Sequence, residues 1–287
     1  MTFSIVAADL EAGDWGVAVA SKFPAVGSVV PWARAGVGAV ATQSWANTSF
    51  GPLGLELMSS GLSAEETVRR LTAEDDGREK RQVAMVDVSG SPATFTGSEC
   101  MEWAGGRTGE EYACQGNILV GPQVVESLAR RFEEAEGDLV DRLVAALVGG
   151  DRAGGDRRGR QSAALLVVRE GGGYEGFTDR YVDVRVDDHP QAVDELVRVF
   201  EVYDKELLVR KDEILDLTPE LVMDLQRRLG RLGHHGGEAT GDYDEETRRA
   251  LASFAGEFNL EGRLREDDRV SETLVRELRD ITPEVPG

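Results

Sequence analysis

The sequence predicts an α/β protein of the α+β kind: stacked antiparallel sheets with helices on both outer faces, followed by a small helical domain. Three observations predict it. Strand and helix patterns run as strands, two helices, strands, two helices, strands, which suits layered sheets better than the strict alternation of a doubly wound fold. The turn signals between neighbouring strand patterns are those of hairpins. Beyond Asp216 the strand signals stop and three short helical patterns follow.

Phe3 to Ala8 is β-prone, Asp9 to Asp14 supplies a turn, and Trp15 to Ser21 resumes the strand, as in a tight hairpin. A second pair, Ser28 to Ala33 and Val37 to Gln43, is separated by Arg34-Ala35-Gly36 and carries few polar residues, so burial on both faces is expected. Gly51 to Ser60 reads as a short helix, and Ser63-Ala64-Glu65-Glu66 is a capping-box pattern that opens another. Gln82 to Val88 and Pro92 to Thr96 form a hairpin pattern around Ser89-Gly90-Ser91. After a glycine-rich stretch at Gly105-Gly106, Pro122 to Glu136 and Leu139 to Val148 are amphipathic helix patterns. Strands return at Ser162 to Val168 and Tyr181 to Val186, joined through Gly171-Gly172-Gly173. A long helix from Pro190 to about Arg210 closes a first domain of residues 1–210. Asp216-Leu217-Thr218-Pro219 marks the boundary, with Thr218 as N-cap and Pro219 at the first helical position, where its missing N–H costs nothing. Helices at Pro219 to Gly230, Asp244 to Ala255 and Ser271 to Arg279 make up a second domain, residues 217–283.

Of the 287 residues, 41% are hydrophobic and 30% charged, the balance of a chain that folds around a core. There are 29 acidic against 18 basic residues before Pro190 and 24 against 14 from it onward, so both parts share the net charge of −21. Such a field repels nucleic acid and anionic membranes, and neither is an expected partner. Met1 to Asp9 lacks a basic n-region, its apolar run ends at Ala8, and the run Ala163 to Val168 is too short to span a bilayer. Cys100 and Cys114 make no disulfide framework, and the cytoplasm is the default location.

Several separated motifs point further. They are Thr2-Phe3-Ser4-Ile5-Val6-Ala7, Gly16-Val17-Ala18-Val19-Ala20-Ser21-Lys22, and Gly36-Val37-Gly38-Ala39-Val40-Ala41-Thr42-Gln43. Cys114-Gln115-Gly116-Asn117 and Gly155-Asp156-Arg157-Arg158-Gly159-Arg160-Gln161-Ser162 follow. Over about residues 1 to 205 these resemble an uncharacterised bacterial family, a domain of unknown function classed structurally with the Ntn (N-terminal nucleophile) hydrolases. The resemblance implies a four-layer αββα sandwich and leaves the substrate unnamed. In the tail, Leu225-Gln226-Arg227-Arg228-Leu229, Leu232-Gly233, Gly241-Asp242-Tyr243-Asp244 and Thr247-Arg248-Arg249-Ala250-Leu251-Ala252-Ser253-Phe254 resemble a three-helix peptidoglycan-binding-like domain. It departs from the pattern at His234, where an aromatic is expected, and in the loop Gly236 to Thr240. Peptidoglycan lies outside the membrane, no export signal is visible, and wall carboxylates repel an acidic module. The tail therefore reads as a reused helical fold that packs on the first domain or joins subunits.

An Ntn hydrolase attacks an amide with the side chain of its first mature residue, whose α-amine serves as base, usually through a water. A hydroxyl alone is a weak nucleophile at neutral pH, and an amine of pKa about 8 suits the transfer. Thr2 takes this role once Met1 is removed; the alternative is that it merely starts a strand. Ser21 and Lys22 stand where the second strand emerges, and a cation there would keep the amine neutral, unless Lys22 simply reaches solvent. Backbone amides around Gln43 and Ser44 are candidates for the oxyanion hole, with Asn47 and Asn117 as alternative side-chain donors or as ordinary turn residues.

Arg157, Arg158 and Arg160 sit between glycines just before a strand. Their forks suit a substrate carboxylate or ureido group, with Asp156 able to hold Arg158, and the plainer alternative is a solvated loop or an inter-subunit ion pair. The expected partner is thus a small-molecule amide or ureido substrate touching Asn47, Asp156, Arg158 and Arg160, in a homodimer or higher homo-oligomer by analogy. No cofactor and no metal are expected. Gly36 to Ala41 imitates a dinucleotide fingerprint but continues as strand, and His189, His234 and His235 lack partners at zinc spacing. The cysteines read as core residues. Two other readings stay open: a catalytically silent relative that binds a ligand or assembles, and a wall-associated protein exported by an unrecognised route.

Overall fold

In the computed structural model, which describes residues 2–208, 210 and 212–283, the first hairpin forms as its pattern predicts. Strand β1 (Thr2–Asp9) pairs residue for residue with β2 (Asp14–Ser21), from Thr2 opposite Ser21 to Asp9 opposite Asp14. There follow β3 (Pro31–Arg34), β4 (Gly38–Ser44), helices α1 (Phe50–Ser59) and α2 (Ala64–Ala73), β5 (Arg81–Asp87) and β6 (Pro92–Thr96). Next come β7 (Gly105–Gly109), β8 (Tyr112–Asn117), α3 (Gln123–Glu134), α4 (Leu139–Arg152), β9 (Ser162–Arg169), β10 (Arg180–Val186) and α5 (Ala192–Tyr203). The last elements are β11 (Ile214–Asp216), α6 (Pro219–Arg231), α7 (Glu245–Glu257), β12 (Arg269–Ser271) and α8 (Glu272–Ile281). The chain divides into two compact units, Met1–Val199 and Phe200–Gly287.

The first unit is an αββα sandwich. One antiparallel sheet runs β10-β9-β2-β1-β8-β7, the other β3-β4-β5-β6. Helices α3 and α4 cover the six-stranded sheet, and α1 and α2 cover the four-stranded one. The sheets meet through Val6, Ala8, Val17, Val19, Ala39, Ala41, Ala84, Val86, Ala113 and Leu166. These residues alternate along each strand, so one face of every strand joins this layer and the other joins a helix layer. Gly16 is small because α4 approaches there: a Cβ would lie 2.6 Å from Leu143. Asp87 organises the other sheet's turn, accepting from Ser89 N (2.9 Å) and Ser91 N (3.1 Å) and from Ala64 N (2.8 Å) at the start of α2. The predicted capping box at Ser63 and Glu66 is formed.

Four expectations need correction. Ser28 to Ala33 is not one strand: Val26–Ser28 forms a turn, closed by Ser28 Oγ donating to Ala25 O (2.8 Å), and only Pro31–Arg34 pairs. The helix expected to run to Arg210 ends at Tyr203 and widens into a π turn over Asp204–Leu208. The glycine-rich stretch at 105–109 is strand β7, and β8 follows it, beside β1. The second unit is not helices alone, because β11 pairs antiparallel with β12. Its core gathers Leu225, Leu229, Leu251, Phe254, Leu274 and Leu278 from three helices. Among the described residues no helix is long and apolar enough to cross a membrane.

Candidate functional site

The inter-sheet face of β1 changes character along its length. Val6 and Ala8 belong to the apolar layer, whereas Thr2 and Ser4 belong to a polar end of the same gap. Every neighbouring strand repeats the change. Ser21 lies opposite Thr2 on β2, Gln115 and Asn117 lie opposite Ser4 and Thr2 on β8, and the facing sheet brings Gln43 and Gln82. Thr2 is 7% exposed, and the other members of this group are more deeply buried still.

Burial forces these groups to satisfy one another. Thr2 Oγ1 is 3.1 Å from Ser21 Oγ. Ser4 Oγ donates to Gln43 Oε1 (2.7 Å), and Gln43 Nε2 donates both to Thr2 O (3.3 Å) and to Gln82 Oε1 (2.8 Å). Gln82 Oε1 also accepts from Asn117 Nδ2 (2.9 Å). Its Nε2 donates to Thr96 Oγ1 (2.9 Å), Gly105 O (3.2 Å) and Gly116 O (2.8 Å). Gln115 Nε2 reaches Ala41 O (3.0 Å). The result is a layer of neutral amides and hydroxyls around the first residues of a buried strand.

Two strands end here with unusual backbone. Ser44, closing β4, has φ of 71°, and Ile118, directly after β8, has φ of 51°. A left-handed conformation costs a residue with a side chain roughly 1–2 kcal/mol, and a β-branched one is a genuine outlier. Ile118 is held from both sides: its N–H donates to Met101 O (2.8 Å) and its carbonyl accepts from Arg157 N (3.3 Å).

The loops around this end are tied down by carboxylates. Lys22 N donates to Asp156 Oδ2 (2.8 Å), and Asp156 also accepts from Arg158 N (2.8 Å) and Arg158 Nη2 (3.3 Å). Arg160 Nε pairs with Asp151 (2.6 Å). A cavity of about 70 Å³ lies between this loop, Phe3, Ser21 and Val193. Asn47 Nδ2 donates to Asp75 Oδ2 (3.0 Å), which also accepts from Arg81 Nε (2.8 Å). Burial pushes the thiols of Cys100 and Cys114 up, away from thiolate, as suits core residues. A groove of about 480 Å³ lies away from all of this, along α3 and α4.

The family model described as a family of unknown function (DUF1028) matches residues 2–196. The chain belongs to the DUF1028 family. A crystal structure of a DUF1028 protein from Silicibacter pomeroyi is 31% identical, covers 71% of this chain and 89% of that one, and superposes with a TM-score of 0.65. Residues 207–278 match a model described as a putative peptidoglycan binding domain. No curated protein matches the chain.

Within the DUF1028 unit, Thr2, Ser21, Gln43 and Asn117 converge on the polar end of the gap, and Ser44 ends the strand that carries Gln43. Lys22, Asp156 and Arg158 share the loop contact beside Ser21. Asn47 and Arg160 do not join the amide cluster: one is engaged by Asp75, the other by Asp151. Sequence reasoning missed Ser4, Gln82 and Gln115. The signal for them was a polar residue at the inward parity of an otherwise apolar strand, as in Ala39, Ala41 and then Gln43.

Proposed function

We propose that this DUF1028 protein is an N-terminal-nucleophile amidohydrolase acting on a small amide, ureido or isopeptide C–N bond, with Thr2 as nucleophile once Met1 is removed. One observation carries the reading: Thr2 opens an interior strand of an αββα sandwich, with its Oγ1 in the polar end of the inter-sheet gap, 3.1 Å from Ser21 Oγ. In the proposed reaction the Thr2 hydroxyl gives its proton to its own α-amine and its oxygen attacks the carbonyl carbon. The C–N bond breaks as the leaving nitrogen takes that proton, and water then hydrolyses the ester left on Thr2. The Ser44 backbone and the Asn117 amide are the oxyanion donors proposed. The left-handed Ser44 and Ile118 support a functional role for this end, since such strain persists where surrounding contacts over-determine it.

Intact mass and N-terminal sequencing of wild type and Thr2→Ala, each assayed on a panel of small amides and ureides, test the proposal. Loss of Met1 together with turnover that vanishes only in the variant is expected. Retention of Met1 in fully folded protein would sink it. A second reading, a catalytically silent ligand-binding or assembly protein, is favoured by the internal saturation of Gln43, Gln82 and Asn117, whose amides are taken up by one another and by neighbouring hydroxyls and strand carbonyls.

A further inference from the structure

Four large apolar side chains are exposed at the end of the sandwich where Thr2 starts: Trp45 (62%), Met101 (53%), Phe23 (48%) and Val120 (46%). The topology puts them there. Phe23 is the second residue after β2, and its carbonyl accepts from Ser162, which pairs with Ser21 opposite Thr2. Trp45 is the first residue after β4, the strand whose Gln43 bonds the Thr2 carbonyl. Val120 lies just past β8, beside β1, and Met101 is fastened to Ile118 by its carbonyl.

Exposed apolar residues scattered singly need no explanation, but a group of them at the strand ends above one buried site does. The opposite end of the sandwich also exposes Leu10 and Val88, on the turns after β1 and β5, but the buried polar groups beneath them are carboxylates already engaged, Asp14 by Arg169 and Asp87 by the turn that follows it, whereas the Thr2 end has neutral hydroxyls and amides beneath. Two of the cations nearby are neutralised, Arg158 by Asp156 and Arg160 by Asp151, which leaves Lys22 and Arg157 as the other cations in the loops after β2 and before β9.

Resting on the hydrolase reading above, we infer that the substrate carries its scissile bond on an apolar acyl or aryl group, and that Phe23, Trp45, Met101 and Val120 seat that group. A buried methylene contributes about 0.8 kcal/mol, or about fourfold in binding, so a substrate with a longer chain is held more tightly as far as the rim reaches.

The test uses β-lactones of increasing alkyl chain length, kept below their aggregation concentrations. Thr2 Oγ attacks the lactone carbonyl, the ring acyl C–O bond breaks, and the departing alkoxide takes the Thr2 proton. The adduct therefore adds the whole lactone mass to Thr2, read by intact mass and peptide mapping. The labelling rate is expected to rise about twofold to fourfold per methylene in wild type. That slope should flatten in Trp45→Ser/Met101→Ser and persist in Phe177→Ser, an exposed aromatic on the β9–β10 connection. Thermal melts confirm that each variant is folded. Labelling of Thr2 at a rate independent of chain length overturns the inference and leaves the hydrolase reading standing. No labelling of Thr2 by any lactone removes both. An unchanged slope in rim variants that turn a dimer into a monomer on sedimentation would mark the rim as an interface between copies, which also overturns it.

Discussion

Gln82 shows how much one buried amide organises. Its oxygen accepts from Gln43 and Asn117, and its nitrogen serves Thr96 and two backbone carbonyls, so each of its lone pairs and protons has work at 0% exposure. Removing such a hub is worse than removing a member, because every partner left behind keeps its desolvation penalty of about 1–3 kcal/mol. Gln82→Leu is close in size and strands the amides of Gln43 and Asn117. A loss of at least about 2 kcal/mol in urea unfolding at unchanged slope is expected. Thr96→Val removes one of three acceptors from the Gln82 nitrogen, and a loss under about 1 kcal/mol is expected. Equal losses in the two variants would mean that Gln82 is not the hub.

At the scale of elements, the connection between β4 and α1 is fastened to β5 by one carboxylate. Asp75 accepts from Arg81, Asn47 and Gly77 N, and Arg81 Nη1 reaches on to Trp45 O (2.6 Å). The Arg81 hydrogen bond, aided by those from Asn47 and Gly77, brings the Asp75 carboxyl down to about 2. A folded pKa below the unfolded value of about 3.9 means stability fully present above that value and lost as pH falls from about 4 towards 2. Asp75→Asn should be less stable than wild type at neutral pH, and the gap should close over that window; stability measured against pH in both proteins checks it. A gap independent of pH would mean that the charge of Asp75 plays no part. The pair also shows what a sequence can and cannot convey. The β1–β2 hairpin, the capping box at Ser63 and the N-cap at Thr218 were readable because each is a local pattern with a local cause. Strand β8, Tyr112-Ala113-Cys114-Gln115-Gly116-Asn117, was not, because its glycine and amides read as turn until β1 and Gln82 pair with them. Asn47 likewise read as a donor for the site, and only the distant Asp75 shows where its amide goes.

Across the whole molecule the dominant electrostatic fact is a net charge of −21. Two effects compete when salt is added. Exposed pairs such as Arg70–Glu74 (3.4 Å) and Arg249–Glu245 (3.7 Å) weaken, but each is worth only about 0–1 kcal/mol. Pairs with a buried member, such as Asp14 in Asp14–Arg169 (2.6 Å) and Arg263 in Asp212–Arg263 (3.2 Å), are shielded from ions and change little. The repulsion among uncompensated carboxylates is long-ranged, and it is what salt relieves most as the screening length falls from about 30 Å at 10 mM to about 8 Å at 150 mM. The midpoint of thermal unfolding should therefore rise with sodium chloride at neutral pH, steeply at first and then level off. Potassium chloride should give the same curve, since screening depends on ionic strength and not on the identity of the ion, whereas sulfate would add a preferential-exclusion effect of its own. A midpoint that falls over the first 150 mM would show that the surface ion pairs outweigh the repulsion, and would shift the account of stability from net charge to pairing.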